Sequence, residues 1–381
     1  PVDWQSDRGQ LFLNPRMLID EQQRLQAAFD SCLEARHCLG VATSGTTETS
    51  ATKIVLLTRE ACLNSAQAVV DHLEIGLKDR WFHVLPDFHV GGLSIWARSQ
   101  VAGCEVIQSD WNKETFVNQI EQCGATWASL VPTQIFDLVS LKVKAPRSLK
   151  GVLVGGGSLS DGLYLQARRL GWPLLPTYGM TECCSQIATA SLSSLEQMTF
   201  PPLKVLRHVR VRVGEQECLQ VASSSLFKGY LVLTSRENRF ESPIEDGWFQ
   251  TRDRVELTPD GCLVPIGRLD ERVKVLGELV DLSYLQKITD ESLRQKGGDV
   301  RVALTAVTDL RQGNRIVLVY EENTQPFDFF ESLRQEINGK LLPFERISEI
   351  SQVSRLPLTE LGKVRHAELR RMLTEIALKS L

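Results

Sequence analysis

Short apolar runs alternate with amphipathic stretches between about residue 54 and residue 176, and this alternation constrains the fold more than any other feature of the chain. Runs such as 81–85 and 151–154 have the length and composition of buried strands. Between them, residues 116–123 carry apolar side chains at helical spacing and stop at Gly124. Strands and helices in this order predict βαβ units, and therefore an α/β fold with a parallel sheet covered by helices.

A helix is also predicted directly after the first apolar run. Thr58 can cap its start, the apolar residues between 66 and 73 recur at helical spacing, and Gly76 can end it. The run before this helix is expected to be the first strand of the parallel sheet.

The pattern changes after about residue 204. Segments such as 205–213 alternate apolar and polar residues with a period of two, which predicts antiparallel β structure. From about residue 270, two strand-like runs and two helical runs predict a small α+β domain. We therefore expect a large N-terminal domain, 1–269, and a small mobile C-terminal domain, 270–381, with the hinge at Asp270.

Charge and hydropathy exclude several partners. The chain has 43 Lys and Arg against 47 Asp and Glu, a net charge of −4, which gives no reason to expect a nucleic acid partner. No apolar run approaches the roughly 18 to 20 residues that cross a bilayer, so we expect no membrane insertion. The first residues, PVDWQSDRGQ, lack the order of a signal peptide, and we expect a cytoplasmic protein. The sequence does not indicate an oligomeric state.

The nine cysteines are scattered and form no CxxC pair. An odd number without this spacing favours neither a disulfide framework nor a zinc site.

Three segments could bind a nucleotide. The stretch 42–53 is rich in Ser and Thr and ends at Lys53, so its backbone and hydroxyl groups could donate to phosphates, although a polar surface turn has the same composition. Residues 151–159 run from a strand into three glycines, which can admit a flat ligand or simply connect a strand to a helix. In 174–188 a strand is followed by an aromatic ring, a hydroxyl and a carboxylate, which suit a base, a phosphate and Mg²⁺.

Three further segments carry charged residues, none of which indicates a binding site when taken alone. Asp253 could accept hydrogen bonds from a ribose, but it could also be a surface acid of a hairpin. Arg268 lies in a charged run at the expected domain border, which is more typical of a solvated surface. Lys363 follows Gly362 in a turn that could deliver one positive charge.

The order of these six segments is far more specific than any one of them. From about residue 40 to residue 366 the chain resembles the acyl-adenylate-forming superfamily of acyl-CoA synthetases, adenylation domains and luciferases. Within that superfamily, TYGMTECCSQIA and LPDFHVGGLS are most similar to segments of the ligases that join 2-succinylbenzoate to CoA in menaquinone biosynthesis.

The resemblance implies a role for each matching residue. Lys363 would bridge the carboxylate and the α-phosphate, Thr181 would contact that phosphate, and Glu182 would bind Mg²⁺. His89 would close the acyl pocket or assist thioester formation, and Ser185 and Gln186 would contact the aromatic substrate. The remaining positions would bind ATP: Thr43, Ser44, Gly45, Thr46, Thr47 and Lys53 at the triphosphate, Gly155, Gly156, Gly157, Tyr178 and Gly179 at the adenine, and Asp253 and Arg268 at the ribose.

The implied activity is a ligation of a small carboxylic acid to CoA through an acyl-adenylate, with ATP, Mg²⁺ and CoA as substrates and cofactors. The C-terminal domain would rotate at Asp270 between the two steps. Two alternatives remain open from the sequence. One is a ligase for another aryl or acyl acid. The other is a nucleotide-binding relative without activity, suggested by Glu48 and the displaced Lys53 in the altered phosphate loop.

Overall fold

The structure is a computed structural model that describes residues 2–43, 52–234, 237–298, 300–309, 311–322, 324–360 and 362–379. It divides into two compact units. The first unit comprises residues 1–215, 219–251 and 256–264, and the second comprises 216–218, 252–255 and 265–381. All seven tryptophans belong to the first unit. No described helix is long and apolar enough to cross a membrane.

The strands of the chain up to residue 268 form two sheets. The helices in this part are α1 Ile19–Ser31, α2 Arg59–His72, α3 Val90–Ala102, α4 Phe116–Cys123, α5 Pro132–Ser140 and α6 Asp161–Arg169. The strands are β1 Gln10–Phe12, β2 Cys38–Thr43, β3 Thr52–Thr58, β4 Arg80–His83, β5 Glu105–Gln108, β6 Trp127–Leu130, β7 Gly151–Val154, β8 Leu174–Met180, β9 Ser185–Thr189, β10 Leu203–Val205, β11 Val209–Val213, β12 Cys218–Ser223, β13 Gly229–Leu233, β14 Asn238–Glu241, β15 Ile244–Glu245, β16 Trp248–Leu257 and β17 Cys262–Arg268.

The predicted parallel sheet is present, with strand order β5-β4-β6-β7-β8. Strands β4, β6 and β7 are buried along most of their length because helices cover them, whereas the edge strand β5 has no buried residue. The core includes Phe82, Phe116 and Trp172. The predicted helix at 116–123 ends at Gly124, whose φ of 64° lies in the left-handed region that glycine adopts without strain. Strands β9 to β12, β16 and β17 continue the sheet in the order β8-β9-β10-β17-β16-β12-β11. The pairs β8–β9, β9–β10, β10–β17 and β11–β12 are antiparallel, as the period-two pattern predicts.

One expectation about the parallel sheet is wrong. Strand β3, the first apolar run of the predicted βαβ region, belongs instead to a separate five-stranded sheet of order β1-β2-β3-β13-β14. It pairs antiparallel with both β2 and β13. Helix α2 is capped by the Thr58 hydroxyl as predicted, but it ends at His72, four residues before Gly76. The composition of a strand does not specify its pairing partners, which are set by contacts with distant chain segments.

The remaining elements belong to the second unit. They are β18 Arg272–Val275, β19 Glu278–Asp281, α7 Leu282–Gln295, β20 Val302–Asp309, β21 Gly313–Glu321, α8 Phe327–Asn338, β22 Ile347–Val353 and α9 His366–Lys379. Strands β20 and β21 are antiparallel, and β22 joins β21 in parallel. Leu318 faces one core with α7 and α8, whereas Val317 and Val319 face another with α9. This α+β arrangement has the strands and helices that the sequence predicts beyond residue 270.

Candidate nucleotide and acyl site

The hairpin of β8 and β9 is the best defined part of the candidate site. Residues Thr181–Cys183 form one turn of 3-10 helix between the strands, and Cys184 follows with a φ of 53°. A Cβ atom on Gly179 would lie 1.6 Å from the backbone oxygen of Ser185, so only glycine fits there. The tight approach fixes the backbone on both sides of Thr181 and Glu182.

Glu182 is held from two directions. Its backbone oxygen accepts a hydrogen bond of 2.8 Å from the amide of Phe227. Its Oε1 atom accepts a hydrogen bond of 2.8 Å from the hydroxyl of Tyr230 on β13. Tyr230 was not identified from the sequence, because its contact with Glu182 joins residues 48 positions apart. The alternating run that it occupies, GYLVL, indicates only a strand.

Lys53 lies at the same tyrosine. The sequence suggested that it ends a phosphate-binding loop, but it is the second residue of β3, in register with Val232 of β13. Its Nζ atom is 4.9 Å from the centroid of the Tyr230 ring, a cation–π distance. The structure therefore brings Lys53 to the ring face, and Glu182 to the hydroxyl, of one tyrosine side chain.

The other residues predicted for the triphosphate cannot be placed. Ser44, Gly45, Thr46 and Thr47 lie outside the described residues, and so does Glu48. For Thr43 the backbone is described, as the last residue of β2, and the side chain is not.

The glycine run and Tyr178 meet at one edge of the parallel sheet. Gly155 directly follows β7, which pairs with β8 through Val154 and Pro176. A Cβ on Gly155 would come within 3.1 Å of the Thr177 side chain, so the two strand ends are closely packed. The carboxyl ends of parallel strands are where α/β sheets bind ligands, and Gly156, Gly157 and half-buried Tyr178 lie there.

His89 follows the carboxyl end of another strand of this sheet, β4. It is the N-cap residue of α3, and its ring lies 4.7 Å from that of Phe88. The segment before it is anchored by a partly buried network, in which His83 Nε2 and the indole of Trp96 both contact Asp87 Oδ1, at 2.7 and 2.8 Å. Burial alone would raise the pKa of Asp87. The hydrogen bonds from His83 and Trp96 outweigh this effect, so the pKa lies below its usual value.

Ser185 and Gln186 occupy the first positions of β9. Gln186 is buried and its amide oxygen accepts a hydrogen bond of 3.0 Å from Thr189. Ser185 is half-buried and has a φ of 107°, an unusual value for a residue with a side chain. Their predicted contacts with an aromatic substrate remain predictions.

Arg98 is a further polar residue that the sequence did not single out. It lies on α3 and is only 2% exposed. Its Nη2 donates to the Ser94 hydroxyl at 2.9 Å, and the guanidinium stands over the Trp81 ring at 5.1 Å, whereas Nε and Nη1 have no hydrogen-bond partner among the described residues. Burial lowers its pKa to about 9. A single arginine in an apolar helix is also expected where the helix borders solvent, so the sequence pattern does not indicate that this arginine is buried.

Asp253, Arg268 and Lys363 lie in the second unit. Asp253 Oδ1 accepts a hydrogen bond of 2.7 Å from Arg268 Nη1. Lys363 is in the tight turn between Leu358 and Val364, where Gly362 has a φ of 73°. The side chain of Asp270 is outside the described atoms.

The ammonium group of Lys363 is influenced by charges of both signs. Burial lowers its pKa, Arg268 acts in the same direction, and Asp253 and Glu271 oppose them. The residue as a whole is exposed, so water moderates this lowering of the pKa. The second unit thus places one lysine close to the carboxylate and arginine that were predicted to hold a ribose.

A second ionic network surrounds the buried Arg254. Its guanidinium contacts both Glu217 and Asp281, and Arg272 also reaches Glu217 at 3.3 Å. Asp281 additionally caps α7 by accepting from the amides of Ser283 and Tyr284. These contacts fix the strand segment that carries Asp253 to the start of α7.

The chain belongs to the AMP-binding enzyme family, whose model matches residues 33–231, more than half of the chain. The predicted membership and the predicted fold class are thereby confirmed.

Among curated proteins, the chain is similar to 2-succinylbenzoate–CoA ligases. That of Enterococcus faecalis is 26% identical over 84% of this chain and 67% of its own length. That of Escherichia coli K12 is 31% identical over 79% and 62%. The chain thus spans about two thirds or less of these relatives. Among solved structures, E. coli MenE with bound OSB-AMS has a TM-score of 0.72 and 26% identity, over 90% of this chain and 70% of that one.

Proposed function

We propose that the chain is an AMP-forming acid–thiol ligase that joins 2-succinylbenzoate to CoA in menaquinone biosynthesis. The observation that carries this proposal is the convergence of Glu182, Tyr230 and Lys53 in a chain whose relatives are ligases of that name. A cytoplasmic location follows from ATP and CoA being the substrates.

In the first step, the substrate carboxylate attacks the α-phosphorus of ATP, and pyrophosphate leaves with the electron pair of the broken P–O bond. Lys363 would neutralise charge that develops on the phosphoryl oxygens, and Thr181 would donate to one of them. In the second step, the CoA thiolate attacks the acyl carbonyl carbon and AMP leaves. Asp253 and Arg268 would hold the ribose throughout, and residues 270–381 would move as the C-terminal domain between the steps.

The oxygen atoms of the Glu182 carboxylate are suitable ligands for a Mg²⁺ ion. The Tyr230 hydroxyl engages Oε1, and Oε2 makes no hydrogen bond within the described residues. No group of three His, Cys, Asp or Glu among those residues could hold a metal without help. Mg²⁺ commonly binds through one or two carboxylates together with substrate phosphates, so a single carboxylate is sufficient here. When bound, the ion would offset the charge of the triphosphate.

The test of the activity is an assay with 2-succinylbenzoate, ATP, Mg²⁺ and CoA that measures pyrophosphate, AMP and the acyl-CoA mass. A parallel panel of benzoates and fatty acids addresses the alternative ligases. Thioester formed from a panel acid but not from 2-succinylbenzoate would refute the proposed substrate. ATP binding without any adenylate would instead identify a nucleotide-binding relative.

A further inference from the structure

We propose that Tyr230 is a positioning residue, whose hydroxyl orients the Glu182 carboxylate for the metal and whose ring supports Lys53 beside it. The inference rests on the proposed function and concerns how the site is held. Tyr230 itself contacts neither phosphate nor metal in this proposal.

The hydroxyl of Tyr230 selects one geometry of the carboxylate. A glutamate side chain on a 3-10 turn can rotate about three bonds, and each rotation moves both oxygens. The 2.8 Å hydrogen bond from Tyr230 fixes Oε1 and thereby directs Oε2. Partners of this kind around a metal ligand typically contribute about 10- to 100-fold to metal affinity.

Tyr230 can serve as a fixed support because its own ring is immobilised. It lies in β13, which is paired on both sides, with β3 and with β14. Phe227 packs edge-on against the ring, with centroids 4.7 Å apart. Phe227 also donates its amide to the backbone oxygen of Glu182, so the support and the carboxylate are joined twice.

The ring contributes a second effect at its face. Lys53 Nζ lies 4.9 Å from the ring centroid, on a strand next to that of Tyr230. A cation–π contact restricts where the ammonium group can rest. Tyr230 would therefore set the spacing between one cation for phosphate and one carboxylate for metal, and the hydroxyl and the ring would act separately.

The test uses Mn²⁺ as the probe and needs no turnover. Mn²⁺ is titrated by electron paramagnetic resonance into the full chain in the presence of a non-hydrolysable ATP analogue. We expect Tyr230→Phe to weaken Mn²⁺ binding about 10-fold without changing the melting temperature. Tyr320→Phe is the matched control, since it removes a buried tyrosine hydroxyl in the second unit.

Two more variants separate the hydroxyl from the ring. Tyr230→Leu lacks both, so it should weaken Mn²⁺ binding similarly and also weaken binding of the ATP analogue without metal, which Tyr230→Phe should leave intact. On a Glu182→Gln background, Tyr230→Phe should have no further effect on Mn²⁺ binding, because its effect passes through the carboxylate.

Unchanged Mn²⁺ binding in folded Tyr230→Phe, or the same loss on the Glu182→Gln background, would overturn the positioning role. Neither result depends on the acid that is ligated. A wild-type chain that forms no thioester but shows the expected Mn²⁺ pattern would refute the proposed function and leave the role of Tyr230 intact.

Discussion

The two units assemble their predicted site residues in different ways. In the first unit, Glu182, Tyr230 and Lys53 come from three distant chain segments and are fixed between paired strands. In the second unit, Asp253 and Arg268 are joined by an ion pair, and Lys363 stands on an exposed turn. Under the proposed function, the first unit would supply fixed geometry, whereas the second would supply a charge that can be presented and withdrawn.

The largest expected effect distinguishes these roles directly. Lys363→Ala should reduce the rate of adenylate formation by about 100- to 1000-fold, the effect of losing one preorganised charge at a transition state, with nearly unchanged ATP binding. Pyrophosphate release and calorimetry with ATP measure the two quantities. Lys340→Ala is the control, since Lys340 pairs with Glu336 on the surface of the same unit. If ATP affinity fell as far as the rate, Lys363 would be a binding residue, and the contrast between the units would fail.

Gly179 tests the fixed geometry of the first unit. Gly179→Ala places a methyl group against the Ser185 oxygen, so the β8–β9 hairpin must separate. We expect a loss of about 3 kcal/mol in the free energy of unfolding, typical of severe overpacking, and loss of adenylation. Gly76→Ala is the matched control, because no atom lies within 4 Å of its added Cβ. A fully active Gly179→Ala protein would show that the hairpin tolerates movement.

Two helix caps compare the units at a smaller scale. Thr58→Ala removes only the cap of α2 and should cost about 1 kcal/mol. Asp281→Ala removes the cap of α7 and also a partner of buried Arg254, so it should cost more, about 3 kcal/mol. Denaturant unfolding followed for each unit measures both losses. Equal losses would mean that the Arg254 network adds nothing to the stability of the second unit.

Mild acid should change the stability of the two units in opposite directions. Burial lowers the pKa of His208 in the first unit to about 4, so the unfolded state takes up the proton first, and stability falls as the pH drops below the ordinary value near 6.5. Burial raises the pKa of Asp290 in the second unit to about 6, so the folded state takes up the proton first, and stability rises as the pH drops through 6.

Between pH 7 and pH 5 we expect a loss of at most about 2 kcal/mol from His208 and a gain of about 1 kcal/mol from Asp290. Tryptophan emission reports the first unit alone, because that unit contains all seven tryptophans. Hydrogen exchange of the β20–β22 amides reports the second. His208→Phe and Asp290→Asn should each flatten the response of their own unit. A response that survives both substitutions would assign the pH dependence to other groups.

Local sequence patterns predicted most helices and strands. They did not predict features that depend on pairing between distant segments of the chain. The helix at 116–123 and the strand at 151–154 were found because spacing and a terminal glycine specify them locally. The sheet to which β3 belongs was missed, since the neighbours of a strand depend on the whole chain.

The candidate site shows the same division. Glu182 and Lys363 were found through motifs that are continuous in sequence. Tyr230 was not, because its significance lies in a partner 48 residues away, and such a contact has no local signature. The domain limits and the roles of the site residues remain predictions.

Two buried cysteine sulfur atoms are in contact directly after the turn that carries Glu182. Cys184 Sγ lies 3.6 Å from Cys62 Sγ on α2, both residues are buried, and burial raises the pKa of the Cys184 thiol well above its ordinary value. Only a thiolate reacts readily with an alkylating reagent, so Cys184 should be labelled when the turn opens to water. The labelling rate would then measure how often the turn opens, and a ligand that keeps the turn closed should lower that rate.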